Sequence, residues 1–155
     1  MNEGSSDFTQ HAITTAANGA ISVFAIDLDG DGDVDVLSAS YIDNKIVWYE
    51  NDGSQVFTTR TVDSIGNFPD AIIAADVDSD GDLDLVAGFL FDHVAVWYEN
   101  DGSGSFSKHV IGAVQNARDV AAIDLDSDGD IDVLATSRST GTVTWFENDG
   151  SEQFT

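Results

Sequence analysis

The sequence contains no cysteine, only one proline and very few basic residues. Without cysteine the chain has no disulfide, no thiolate zinc site and no cysteine nucleophile. Lys and Arg number 5 against 29 Asp and Glu, which gives a formal net charge of −24. Nucleic acid and anionic membrane surfaces repel such a chain, so we expect neither as a partner. No apolar run approaches the ~18 residues of a membrane-spanning helix, so we expect no membrane insertion.

The remaining composition indicates a folded domain. Hydrophobic residues make up 42% of the 155 residues and aromatic residues 10%, which is more apolar content than acidic disordered chains have. This length suits one domain. Residues 1–6 are polar and lack the apolar segment of a secretory signal, so we expect no signal peptide directly in front of the fold.

Three copies of one sequence pattern follow one another along the chain. Residues 48–54 recur, with one substitution, at 97–103 and 145–151. An aspartate-rich segment repeats with the same spacing, 49 and then 48 residues. We therefore divide the single domain 1–155 into three repeats. Their approximate ranges are 8–56, 57–105 and 106–155.

Each repeat is predicted to supply four short β-strands. The first set covers residues 21–28, 34–41, 45–50 and 57–62. The first strand is apolar on both faces, which predicts burial between neighbouring sheets. The fourth is polar, which predicts an exposed edge, and Asn-Asp-Gly-Ser before it predicts a tight turn. Four strands per repeat of about 50 residues predict an all-β fold, a β-propeller with three four-stranded blades per chain.

Each repeat also has one loop with aspartate at positions 1, 3, 5, 7 and 9 and glycine at position 6. The first loop contains Asp27, Asp29, Asp31, Asp33 and Asp35. The second contains Asp76, Asp78, Asp80, Asp82 and Asp84, and the third contains Asp124, Asp126, Asp128, Asp130 and Asp132. Carboxylates this close repel one another unless a cation lies among them. Glycine at position 6 permits the sharp turn with which the chain can wrap around one ion.

Calcium is the cation that these loops fit best. It takes about six to eight oxygen ligands, whereas magnesium keeps several waters and zinc and copper favour His or Cys. A solvated acidic turn is the alternative, because Asp and Gly also favour turns. The threefold repetition at one place between two strands favours calcium. We predict three calcium ions per chain, each closing the hairpin between a first and a second strand.

The loops and the strands after them resemble the FG-GAP/VCBS repeat family, the calcium-binding blades of integrin-like β-propellers. The resemblance rests on the Asp-x-Asp-x-Asp-Gly-x-x-Asp loop and the apolar strand that follows it, at 35–40, 84–89 and 132–137, and it covers essentially the whole chain. It implies side-chain ligands at positions 1, 3, 5 and 9 of each loop and a carbonyl ligand at position 7. The Trp-Tyr-Glu-Asn-Asp-Gly sequence is similar to the VCBS type of bacterial surface proteins and some propeller lectins.

Aromatic residues and histidines outside the loops give weaker signals. The repeated tryptophans are expected in the core between blades, with sugar stacking as the alternative; they are Trp48, Trp97 and Trp145. Three aromatic residues after second strands are the better candidates for an exposed surface: Tyr41, Phe89 and Phe91. The histidines are expected to be solvated rather than catalytic or metal-binding; they are His11, His93 and His109. Two dipeptides before first strands, Pro69-Asp70 and Arg118-Asp119, could line a ligand groove or form an ion pair or turn.

No catalytic motif is present, so we expect a binding or scaffold module and not an enzyme. The leading interpretation is a calcium-stabilised propeller module of an extracellular adhesion or display protein, with a protein or glycan ligand. Calcium sites of such modules have dissociation constants of about 10⁻⁴–10⁻³ M and are filled outside cells. The alternatives are a propeller lectin with sugar sites between blades and a non-catalytic domain of a larger secreted enzyme.

The number of blades predicts self-association. Propellers usually have about four to eight blades, and this chain has three repeats. By the repeat pattern, residues 8–15 form a fourth strand and the last blade lacks one. We expect a homodimer in which each N-terminal strand completes the partner's last blade, which gives a six-bladed ring with two-fold symmetry.

Overall fold

The computed structural model describes residues 8–151 and 153–155. These residues form eleven β-strands. The strands are β1 (Ala20–Ile26), β2 (Asp35–Ser40), β3 (Lys45–Asn51), β4 (Phe57–Asp63), β5 (Pro69–Ala75), β6 (Asp84–Phe89), β7 (Val94–Asn100), β8 (Phe106–Ala113), β9 (Ala117–Ile123), β10 (Asp132–Ser137) and β11 (Val143–Phe146). The described part of the chain contains no helix that could cross a membrane.

The strands form three antiparallel sheets, each built from strands that are consecutive in the chain. Sheet 1 has the order β1-β2-β3-β4, sheet 2 the order β5-β6-β7-β8, and sheet 3 the order β9-β10-β11. The four strands predicted for the first blade begin and end within two residues of β1 to β4. The all-β prediction is therefore confirmed, and sheets 1 and 2 have the predicted four strands. Sheet 3 has three strands among the described residues.

Tight turns join the third and fourth strands, as the sequence predicts. In sheet 1, Asp52 Oδ1 accepts hydrogen bonds from the backbone N–H groups of Ser54 at 2.9 Å and Val56 at 3.2 Å. Gly53 has a φ of 74°, in the left-handed region that glycine adopts without strain. Asp101 accepts the equivalent hydrogen bonds in sheet 2. The turn sequence thus fixes the hairpin that carries the edge strand.

Sheet 2 packs between sheets 1 and 3 through two hydrophobic cores. The core between sheets 1 and 2 contains Trp48 from sheet 1 and Tyr98 from sheet 2. The core between sheets 2 and 3 contains Trp97 from sheet 2 and Phe146 from sheet 3. Strand β5 contacts both β1 and β9, so the first strands of neighbouring sheets lie side by side. This arrangement is propeller-like, with each sheet in the place of a blade.

Burial of the first strand and of the tryptophans depends on how many neighbours a sheet has. Strand β5 is buried or half-buried throughout, whereas Val23 of β1 is 72% exposed, so the prediction of burial on both faces is wrong for β1. Trp48 and Trp97 are 3% and 1% exposed, which confirms their place in the core, but Trp145 is 41% exposed. The cause is that sheet 2 has a sheet on each side, whereas sheets 1 and 3 have one neighbour each.

The strand predicted over residues 8–15 is not formed in the chain. Residues 8–19 contain no strand; residues 10–15 instead line a depression over sheet 1 together with Val23, Val36 and Tyr49. They do not pair with a strand there, and a strand requires such a partner for its backbone hydrogen bonds. At the other end of the chain, Thr155 and Glu147 exchange backbone hydrogen bonds of 3.0 and 3.2 Å. A fourth strand therefore starts beside β11 at the last described residues.

The buried carboxylate of Asp63 in sheet 1 makes an ionic contact with sheet 2. Asp63 at the end of β4 accepts hydrogen bonds from Tyr98 Oη at 2.5 Å and from Lys108 Nζ at 2.7 Å. Ile65 N–H donates to the same carboxylate at 2.7 Å. Burial by itself raises the pKa of Asp63, but the hydrogen bonds from Lys108 and Tyr98 outweigh it and hold the pKa below its ordinary value.

We predict a pH-dependent contribution of this contact to stability. Because the folded-state pKa of Asp63 is depressed, its contribution is present above the unfolded value of about 3.9 and is lost as the pH falls through the folded pKa. Asp63→Asn should lower the free energy of unfolding at pH 7 by about 1.5–3 kcal/mol. Urea unfolding at several pH values should show the difference from wild type shrinking below pH ~4. A difference that stays constant with pH would contradict the ionic contact.

Candidate metal centres

The three aspartate loops connect the first and second strands of their sheets and lie at the same end of each sheet. In each loop three carboxylates bring one oxygen apiece within 4.8 Å of one another. The clusters are Asp27, Asp29 and Asp31; Asp76, Asp78 and Asp84; and Asp124, Asp126 and Asp132. The other predicted side-chain ligands, Asp35, Asp80 and Asp128, do not belong to these clusters. The aspartates at loop positions 1 and 3 thus belong to the carboxylate cluster in all three loops.

Backbone turns wrap each loop around its carboxylates. Asp29 Oδ1 accepts a hydrogen bond from Asp31 N–H at 3.3 Å, and Asp31 Oδ1 accepts one from Asp33 N–H at 2.9 Å. Gly32 at position 6 has a φ of 95°, which a residue with a side chain rarely adopts. Its N–H donates to Asp27 Oδ2 at 2.9 Å, which brings position 6 back to position 1. The equivalent glycines in the other loops have φ values of 101° and 106°, so the predicted sharp turn occurs in all three.

The aspartate at position 9 has a structural role that the sequence analysis did not identify. Asp84 is fully buried; one carboxylate oxygen accepts from Val77 N–H at 3.0 Å and the other from Asn100 N–H at 2.8 Å. The Asn100 side chain donates to the carbonyl of Leu83 at 3.0 Å. These bonds tie the loop to the end of β7. The same bonds occur in sheets 1 and 3, and the signal in the sequence is the asparagine that ends each Trp-x-Glu-Asn segment.

The carboxylate at position 7 lies against the turn between the third and fourth strands. A Cβ placed on Gly53 would collide with the Asp33 carboxylate, and the equivalent glycines, Gly102 and Gly150, lie equally close to Asp82 and Asp130. Glycine is therefore required where the turn between the third and fourth strands lies against the aspartate loop. The side chains at position 7 thus pack against the turn, and the carbonyl ligand that the resemblance implies at this position stays a prediction.

Burial and repulsion between neighbouring carboxylates disfavour the charged forms of Asp29, Asp78 and Asp84. Burial, followed by neighbouring carboxylates, raises the pKa of Asp29 and of Asp78 above the ordinary value. Burial raises the pKa of Asp84 to about 6 even though Asn100 and Val77 donate hydrogen bonds to it. A bound cation would reverse this tendency by favouring the charged forms. The loops thus concentrate negative charge that the surrounding protein does not neutralise.

Two buried carboxylate oxygens at position 1 lack a hydrogen-bond partner. They are Asp27 Oδ1 and Asp76 Oδ1, each in one of the carboxylate clusters. Buried polar atoms without partners are uncommon in folded proteins and call for an explanation such as an ion. A donor set made only of oxygens suits a hard divalent cation. The residues therefore fit calcium.

Of the three aromatic residues predicted at the surface, one is exposed, one is half-buried and one is buried. Phe91 is 53% exposed, whereas Phe89 is only 1% exposed because its side chain lies in the core between sheets 1 and 2. Tyr41 is half-buried and contacts Phe68 at 4.6 Å between ring centroids, and Phe68 contacts Phe91 at 4.8 Å. The three rings form a row, at the end of the sheets opposite the aspartate loops.

Basic edge residues make similar contacts in sheets 1 and 2. Arg60 Nε contacts Glu50 Oε2 at 2.5 Å, and the guanidinium lies 5.2 Å from the centroid of Trp48. In sheet 2, His109 Nε2 lies 2.8 Å from Glu99 Oε2 and its ring lies 4.8 Å from that of Trp97.

Of the other singled-out residues, His93 and the two dipeptides have structural partners. His93 is half-buried, and its Nδ1 accepts a hydrogen bond from Asn116 N–H at 3.1 Å. His11 is exposed in the segment before β1. The two dipeptides lie within β5 and β9 and not before them. They meet because Arg118 Nη1 pairs with the buried Asp70 at 2.9 Å. Of the groove, the exposed ion pair and the turn that the sequence left open, an ion pair is observed, but its carboxylate is buried.

Comparison with known families gives one result that bears on these loops. A family model described as an FG-GAP-like repeat matches residues 27–87 and 89–135. The matched residues make up more than half of the chain and include all three aspartate loops. A comparison with curated proteins gave no match.

Proposed function

The chain belongs to the FG-GAP-like repeat family, and on this premise we propose that it is a calcium-stabilised binding or scaffold module built from β-propeller blades. The proposal includes an extracellular or cell-surface location, because FG-GAP repeats are typical of such proteins and calcium sites of extracellular modules are filled at about 10⁻⁴–10⁻³ M. It assigns no catalytic step to the chain.

The observation that carries the calcium assignment is the pair of buried, unpartnered oxygens in the loop clusters. Asp27 Oδ1 and Asp76 Oδ1 are removed from water and accept no hydrogen bond. Both aspartates belong to clusters in which one oxygen from each of three carboxylates lies within 4.8 Å of the others. A calcium ion at that point would give these oxygens a partner and would offset the repulsion among the carboxylates.

The role of the ion in this proposal is to stabilise the fold. When bound, calcium supplies positive charge at the centre of each loop. The chain's own residues then hold the loop in shape: Gly32 makes the turn, Asp35 ties the loop to β3, and Asp33 packs against the next turn. The loops in turn fix the hairpins whose other ends are free to present a binding surface.

Calorimetry with loop variants tests this function. After chelation, calcium titration should give about three sites per chain. Asp29→Asn, Asp78→Asn and Asp126→Asn should each remove about one site, because each replaces a carboxylate that belongs to one cluster only. Asp119→Asn is the matched control, since it removes one negative charge from an exposed residue outside the loops. Flat titration heats for the wild-type chain, or site loss in the control, would contradict the proposal.

Carbohydrate binding is the second candidate function, and the row of Tyr41, Phe68 and Phe91 favours it. Aromatic faces stack on sugar rings, and Phe91 is exposed enough to take part. Polar groups flank the row, since Asn67 N–H donates to Asp92 at 2.7 Å and Phe68 N–H donates to Asn44 at 2.9 Å. Binding on a glycan array that is lost in Phe91→Ala would favour a lectin over a purely structural module.

A further inference from the structure

The outer face of sheet 3 has the residue pattern of an inter-sheet contact but no sheet against it. Val143 and Trp145 are 71% and 41% exposed. Their equivalents one repeat earlier, Ala95 and Trp97, lie in the core between sheets 2 and 3. A depression of about 170 Å³ lies on this face beside Leu134 and Val143. Sheet 3 therefore presents the surface that sheets 1 and 2 bury against the next sheet.

Sheet 1 presents the matching surface on its opposite side. Val23 and Val34 are 72% and 55% exposed. Val34 comes just before β2. The repeat equivalents of these residues, Ile72 in β5 and Leu83 just before β6, pack in the core between sheets 1 and 2. Docking sheet 1 of one copy on sheet 3 of another would repeat the contact that the chain already makes twice within itself.

The edge of β11 lacks the basic residue that stacks on tryptophan in the other sheets. Antiparallel pairing places Arg60 opposite Trp48 and His109 opposite Trp97, and each of these two side chains also contacts a glutamate two residues after the tryptophan. In sheet 3 the corresponding residues are Trp145 and Glu147, and no described residue takes the place of Arg60 or His109. The repeat equivalent of Arg60 is His11, 49 positions earlier in the chain.

The segment before β1 is shaped like a connection that arrives from a preceding sheet. Gly19, Phe68 and Asn116 are equivalent by repeat, and all three have a positive φ, of 68°, 61° and 52°. The carbonyl of Gly19 accepts from Tyr41 N–H at 3.1 Å, as that of Phe68 accepts from Leu90 N–H at 2.9 Å. Residues 64–68 carry the chain from β4 of one sheet to β5 of the next. Gly19 therefore has the backbone conformation and hydrogen bond of the residue that ends a sheet-to-sheet crossover.

We propose that a second copy of this chain completes sheet 3, by adding residues 10–15 as a fourth strand beside β11 and by packing its sheet 1 on the open face. In this register His11 of the second copy faces Trp145 and can pair with Glu147, as His109 does with Trp97 and Glu99. Phe154 already bridges Asn148, as Phe57 pairs with Asn51. In this register residue 10 of the second copy takes the strand position that follows Thr155 of the first copy.

The contact is reciprocal, because sheet 1 and sheet 3 of each copy both lack one neighbouring sheet. Residues 10–15, which lie over sheet 1 in the single chain, leave that face when they join sheet 3 of the other copy. Two copies then close a ring of six sheets with two-fold symmetry, within the usual range of about four to eight blades. The main-chain hydrogen bonds of the added strand supply affinity, and the alternation of its side chains fixes the register. This proposal does not depend on calcium binding.

A cysteine pair tests the register in a chain that has no cysteine of its own. Val47 pairs with Thr61, and Val96 with Val110; the equivalent pair across two copies is Thr144 and Ala12. Cα atoms directly opposite in an antiparallel pair lie about 4.5–5.5 Å apart, within disulfide range. Under mild oxidation the Ala12→Cys/Thr144→Cys variant should give a covalent dimer. The Ala12→Cys/Thr142→Cys control, displaced by two residues, should not.

Light scattering on the unmodified chain gives the second measurement. The expected mass is about twice 16.5 kDa. His11→Glu should raise the dimer dissociation constant at least about tenfold, because it would face Glu147, whereas His11→Arg should leave it near the wild-type value because arginine occupies the equivalent place in sheet 1. A monomer at micromolar concentration, a disulfide within one chain, or equal dissociation constants for His11→Glu and His11→Arg would overturn the proposal.

Discussion

Chelation of calcium should lower the melting temperature of the chain by about 20 °C or unfold it at room temperature. An ion at ~100 times its dissociation constant stabilises the folded state by about 2.7 kcal/mol, so three ions contribute about 8 kcal/mol. That sum lies within the total stability of an ordinary domain, about 5–15 kcal/mol. In a domain of this size each 1 kcal/mol shifts the melting temperature by about 2–4 °C. Removal of the ions also restores the repulsion among the clustered carboxylates.

Circular dichroism melts in about 10 mM calcium and in excess EDTA measure this effect. Magnesium is the specificity control, because it should restore less stability than calcium at the same concentration. The Asp29→Asn variant should show a smaller loss on chelation than the wild-type chain, since one of its three clusters is already impaired. Identical melts with calcium and with EDTA would show that the loops are stable without metal.

Asp84→Ala should lower the free energy of unfolding by about 2–5 kcal/mol, even in metal-free solution. The fully buried Asp84 carboxylate accepts the N–H groups of Val77 and Asn100. Alanine would leave both donors buried without an acceptor, and each such group costs about 1–3 kcal/mol. Asp84→Asn should cost less, because the amide oxygen still accepts one of the two hydrogen bonds.

The matched control for Asp84→Ala is Asp101→Ala, which removes a carboxylate that also accepts backbone hydrogen bonds but is exposed. Urea unfolding in excess EDTA separates the structural role of Asp84 from any loss of metal. Asp101→Ala should lower the free energy of unfolding by about 1 kcal/mol or less, because water can replace the hydrogen bonds of this exposed carboxylate. Equal losses in the two variants would contradict the role assigned to Asp84.

The sequence was sufficient to predict the features that depend on local spacing. The turn at Asp52 and Gly53 and the strands around it follow from residue types with short-range preferences. The sharp turn at Gly32 follows from one residue type at one position of the loop. Repetition strengthened each of these predictions, because a pattern seen once is weak evidence and the same pattern at one spacing is strong evidence.

The sequence was not sufficient where burial depends on a neighbouring sheet. Trp145 has the same local sequence as Trp97, yet one is exposed and the other buried because only sheet 2 has a sheet on both sides. The contact of Asp63 with Tyr98 and Lys108 joins residues far apart in the chain and has no repeated signature. The hydrogen bonds of Asp84 were missed for another reason. All position-9 carboxylates were assigned to a metal, so no backbone partners were sought for them.

Crystallographic anomalous scattering from a calcium-soaked crystal tests the central claim most directly, because it locates the ion rather than its effect. The account predicts an anomalous peak in each of the three loops, with aspartate oxygens at about 2.3–2.6 Å. The ligands should include position-1 and position-3 carboxylates, such as Asp27 and Asp29. Loops without a peak at millimolar calcium would contradict the account.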